Sequence, residues 1–64
     1  MIEPGLYKVM KGYHVGQLWT ILEVLNTTVF DQSLGLIRGV RIMDEDGHVV
    51  STLVKADRDL ERIL

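Results

Sequence analysis

From Leu36 to Val54 the chain reads LIRGVRIMDEDGHVVSTLV, two apolar, β-branched runs on either side of Asp44-Glu45-Asp46-Gly47. Valine, isoleucine and threonine suit a pleated, half-buried surface. The acidic cluster is turn chemistry, and Gly47 supplies a positive φ without steric cost. The pattern predicts a β-hairpin. In its first arm Leu36, Arg38, Val40 and Ile42 alternate against Ile37, Gly39, Arg41 and Met43. In its second arm His48, Val50, Thr52 and Val54 alternate against Val49, Ser51 and Leu53. Gly39 in mid-strand predicts a bulge or a strong bend.

Upstream, Pro4-Gly5 is an entry turn and Leu6 to Met10 a first strand, with Tyr7 and Val9 on one face. Lys8 and Lys11 suit an edge strand. Gly12-Tyr13-His14-Val15-Gly16 is a loop or sharp bend. Gln17 to Asn26 carries two readings. Polar residues at Gln17, Thr20, Glu23 and Asn26 put Leu18, Ile21, Leu22 and Leu25 on one helical face. Trp19, Thr20, Ile21 and Val24 are strand formers, and no N-cap residue opens the stretch. The strand reading leads, with α+β and a helix over 17–26 as the alternative. Thr27 to Phe30 continues as strand, and Asp31 to Gly35 is a turn. Near the end, Asp57 caps a short helical turn, with Asp59 and Arg62 of favourable sign for its dipole. Leu60, Ile63 and Leu64 then form an apolar stripe that docks on the sheet or on a neighbour.

This order of features resembles the SH3-like small barrels, built from roughly five short, bent strands with a helical turn before the last. The matching segments are Leu6–Met10, Leu18–Leu25, Leu36–Met43, the Asp44–Gly47 turn, Val49–Val54, and the Asp57–Leu60 turn before Arg62-Ile63-Leu64. The resemblance implies a mainly β fold, a small barrel of bent strands with a short C-terminal helical turn. The acidic ALYDY-type segment and the paired groove aromatics of peptide-binding SH3 domains are absent, so no binding residues carry over. Such barrels serve as peptide binders, RNA-binding rings and oligomeric assemblies.

Composition sharpens this picture. Sixty-four residues make one small domain, and small domains bury a modest share of their surface. There is no cysteine and there are only two histidines, so neither disulfides nor a structural metal is expected to staple it. Yet 47% of the residues are hydrophobic, which leaves self-association as the remaining staple and predicts a homo-oligomer. The formal charge is −2 with no basic run, which speaks against a general nucleic-acid binder. No apolar run approaches a membrane span, and the N-terminal residues lack the basic start of a signal peptide. These features predict a cytoplasmic protein without a membrane partner.

Candidate chemistry is sparse. Asp46, His48 and Ser51 form no triad, because Ser51 and His48 fall on opposite faces of a strand. Asp44-Glu45-Asp46 lacks the spacing of a calcium loop, and no phosphate-binding fingerprint occurs. No catalytic residue, metal ligand or cofactor is expected. Binding is the live class. Tyr7, Tyr13, His14 and Trp19 gather around the two loop glycines, and aromatic residues with polar tips suit protein interfaces and base stacking. Arg38 and Arg41 suit phosphate, though their spacing puts them on opposite faces. The leading expectation is a non-enzymatic, oligomeric binding protein acting by protein–protein contact on a client, such as a phage or mobile-element accessory factor that modulates a host protein. The alternative is a binder of an anionic nucleotide or short RNA at a subunit interface.

Overall fold

The 36–54 hairpin forms as its pattern requires. The structure, a computed structural model, describes residues 2–64 apart from the side chains of Ala56 and Asp57. Strands β3 (Gly35–Met43) and β4 (Val49–Val54) pair antiparallel in one unbroken register, from Met43 opposite Val49 to Arg38 opposite Val54. Asp44 builds the turn. Its carbonyl accepts the Gly47 N–H at 3.1 Å, and its Oδ1 accepts the N–H of Asp46 and of His48, each at 2.9 Å. Gly47 takes φ +83°, the left-handed geometry that closes such a turn.

Three further strands complete one antiparallel sheet in the order β4-β3-β2-β1-β5, with β1 Gly5–Val9, β2 Leu18–Asp31 and β5 Leu60–Arg62. The chain is therefore mainly β. Residues 18–26 are strand, so the helical alternative is overturned. A register shift between Ile21 and Glu23 explains the ambiguity. Leu22 is the extra residue, so Ile21 and Val24 both face inward although three apart. A bulge thus gave a β-strand the spacing of an apolar helical face.

The irregularity expected at Gly39 falls on its partner strand instead. Between Val24 and Thr28, β2 advances four residues while β3 advances two, from Val40 to Arg38. A Cβ on Gly39 would stand 3.0 Å from Thr27 Cβ and 3.6 Å from Leu25 Cβ. Glycine is there because the crimped strand lies against it.

Two other expectations are corrected. Strand β1 is not an edge. It lies between β2 and β5, and its exposed Lys8 is accommodated on the outer face of the sheet. The final apolar stripe does not form either. A four-residue turn, α1 (Ala56–Asp59), gives way at once to extended β5, so Leu60 is buried while Ile63 and Leu64 are exposed. The expected Asp57 cap lies outside the described residues. Asp59 Oδ2 accepts the Lys55 N–H at 2.9 Å and ties the turn from its far end.

The sheet curls around a core of Ile2, Tyr7, Val9, Ile21, Val40, Ile42, Val54 and Leu60. Ile21, Val40 and Ile42 are sealed from solvent in its middle, and each buried isoleucine contributes about 1.5–3 kcal/mol. Among the described residues no helix is long and apolar enough to cross a membrane.

Candidate functional site

Strand pairing sets Trp19 directly across from Tyr7 on the inner face, at the mouth of the curled sheet. The adjoining loop is held tightly. Val9 N–H donates to the Gln17 carbonyl and Gly16 N–H to the Val9 carbonyl, at 2.9 and 2.8 Å. Gly12 and Gly16 both take positive φ, at +93° and +92°, which lets so short a loop fold back. The loop projects Tyr13 fully into solvent and leans His14 on Trp19, with ring centres 5.6 Å apart and planes tilted by 51°. Gln17 Oε1 accepts the indole N–H at 3.2 Å and fixes the ring's rotation.

Trp19 borders two recesses. One, of about 270 Å³, lies between His14 and Gln17 on one side and Asp44, Val50, Ser51 and Thr52 on the other. The second, of about 170 Å³, sits beside α1 and includes Lys11, Leu53, Arg58 and Asp59. Together they run along the seam where β4 comes round towards the β1 side of the sheet. Arg58 Nε donates to Asp59 Oδ1 at 2.8 Å. Burial pushes the Asp59 carboxyl up, but the Arg58 and Lys55 hydrogen bonds and the charges of Arg58 and Lys11 outweigh it. The group is held below the ordinary 3.8.

The six residues singled out from sequence therefore divide. His14 and Trp19 come together at the seam, while Tyr13, on the same loop, points into solvent. Tyr7 is buried beneath it, its hydroxyl donating to the Glu3 carbonyl at 2.7 Å and accepting from Arg62 Nη1 at 2.9 Å. Arg38 and Arg41 stand apart from the seam and from each other. Arg38 lies half-buried at the far end of the inner face, where Nη2 donates to the Leu25 carbonyl at 3.4 Å and the buried Nε has no partner among the described residues. Arg41 is on the outer face, paired with Glu23 across the strands. Sequence reading missed Gln17 as the indole's anchor and Arg58 and the β4 residues as walls. Nothing local marks them; only the curl of the sheet brings Leu53 and Arg58 to the same recess.

Asp44, Asp46 and His48 offer ligand-type atoms within 4.8 Å of one another at the hairpin tip. Their arrangement follows from the turn's own hydrogen bonds to Asp44 Oδ1. Comparison with protein-family models, curated proteins and solved structures finds no match to this chain.

Proposed function

We propose that this chain is a non-enzymatic binding protein that acts by protein–protein contact, with the Trp19 seam as its client site and self-association as part of its working form. One observation carries the client site. A partly buried tryptophan, held in one rotation by Gln17, borders two adjoining recesses walled by an edge strand. Fixed aromatic rings lose little entropy on binding and anchor most interface hot spots.

A second reading, capture of an anionic nucleotide, draws on Lys11 and Arg58 lining the same recess as Trp19. A base stacked on the indole would leave its phosphate near two cations. Arg58 is already committed to Asp59, which lowers the charge on offer.

Trp19 is the sole tryptophan, so its fluorescence reports on the seam alone. Peptides selected from a random display library, and a panel of nucleoside mono- and triphosphates, are titrated against that emission. The leading reading expects selected peptides to shift it and to lose binding in Trp19→Ala. Shifts from nucleotides alone, abolished in Lys11→Ala, favour the second reading. Silence with both contradicts the client site.

A further inference from the structure

We infer that the free edge of β4 pairs with the β4 edge of a second copy of this chain, antiparallel about a twofold axis at Ser51. This rests on the self-association part of the reading above and names its seam.

Among the described residues the sheet ends at β4 with no strand beyond it. Exposed edges are ordinarily blunted by charge, proline, a bulge or shortness. Strand β4, VVSTLV, has six residues, no charge, no proline and a regular register with β3. Val49, Val50 and Leu53 remain about half exposed along it, at 52%, 47% and 50%.

Hydrogen-bond parity fixes what this edge offers. Asp44 N–H donates to the His48 carbonyl at 2.9 Å, so position 44 marks a closely spaced, hydrogen-bonding site of the ladder. Pairs alternate along an antiparallel ladder. Val50, Thr52 and Val54 therefore bond back to β3, and the N–H and C=O groups of Val49, Ser51 and Leu53 point away from it. These three residues are symmetric about Ser51. A second β4 running the opposite way meets them in one register, Ser51 opposite Ser51 and Val49 opposite Leu53. All three donors and all three acceptors on each strand are then satisfied.

The side chains agree with that register. Val49, Ser51 and Leu53 share the outer face, so each apolar residue faces an apolar one across the seam and the small serines meet at its centre. The flanks agree as well, since Lys55 falls opposite Gly47 of the other copy, beside the acidic Asp46. On the inner face Val50 faces Thr52 of the second copy at the rim of the larger Trp19 recess, which contains both positions. The second copy thus supplies part of that recess's outer wall.

The absence of cysteine gives a sharp test. Hydrogen-bonded antiparallel partners have Cα atoms about 5.5 Å apart, inside the usual disulfide span of about 4.4–6.8 Å. Ser51→Cys, mildly oxidised, is expected to form a covalent dimer on the order of tenfold faster or more than Leu36→Cys, placed on the exposed far hairpin. In sedimentation the parent protein should run above its 7.3 kDa monomer mass, increasingly so with concentration. Val49→Lys with Leu53→Lys should return it to monomer with an unchanged circular dichroism spectrum. If that variant misfolds, the cysteine comparison still decides. A parent that stays monomeric at every concentration overturns the inference. So does a dimer in which the two cysteine variants cross-link at equal rates, because the seam then lies elsewhere. A parent that is monomeric yet still binds peptide at Trp19 refutes this seam and leaves the Trp19 site standing.

Discussion

The two edges of the sheet are built on opposite principles. Strand β5 is three residues long and carries Glu61 and Arg62. Arg62 is tied back to the sheet: Nη1 donates to Tyr7 Oη and, at 3.3 Å, to the Pro4 carbonyl, lies 3.6 Å from Glu3, and its guanidinium sits 5.5 Å from the Tyr7 ring centre. Strand β4 is twice as long and carries no charge at all. An edge that is short and charged resists pairing, whereas one that is long and apolar invites it. Ile21, Val40 and Ile42 are sealed in the core, and Val49, Val50 and Leu53 are left half exposed along the β4 edge.

The largest expected effect lies where that core is sealed. Ile42→Ala should cost about 2–5 kcal/mol in urea unfolding, enough to unfold most of so small a domain. Leu53→Ala, on the outer face of the β4 edge, should leave the monomer's own stability nearly unchanged and weaken only the concentration-dependent part of it. Equal losses from the two substitutions would erase the distinction between core and edge.

Next comes the crimp that shapes the sheet. Gly39→Val should cost about 1–3 kcal/mol, because the added atoms meet Thr27 and Leu25. Its urea midpoint should fall with little change in slope.

The smallest effect concerns the brace beneath the seam. The Asp59 carboxyl is held below its ordinary value in the folded chain, so it stabilises the fold above about pH 3.8, the unfolded value. That contribution is lost as pH falls through the folded value. Asp59→Asn should therefore lower stability at neutral pH and shrink the loss between neutral pH and strong acid, as read by melting temperature across pH. An unchanged acid limb would show that the Lys55–Asp59–Arg58 contacts carry no stability.

Much of the fold was legible in the chain. The 36–54 hairpin follows from alternation and a turn whose acidic and glycine residues have one geometric solution. Residues 18–25 were harder because the Leu22 bulge shifts the inward set by one position, and alternation cannot report a bulge. Residues 60–64 misled because Leu60, Ile63 and Leu64 have helical spacing, while pairing with β1 draws Leu60 to Arg62 out straight. Of the site, Trp19 with Tyr13 and His14 could be seen, since aromatic residues between glycines stand out locally. Arg38 and Arg41 could not be placed, because which arginine meets a carboxylate depends on the cross-strand register of Glu23 with Arg41.

Amide hydrogen exchange along β4 tests the central claim most directly, because the strand carries its own control. Val50, Thr52 and Val54 bond to β3 and should be protected at any concentration. Val49, Ser51 and Leu53 should exchange freely in dilute protein and slow together as concentration rises, with Ser51 slowing most. If those three amides stay unprotected up to millimolar concentration while their neighbours remain protected, the β4 edge does not pair with a second copy.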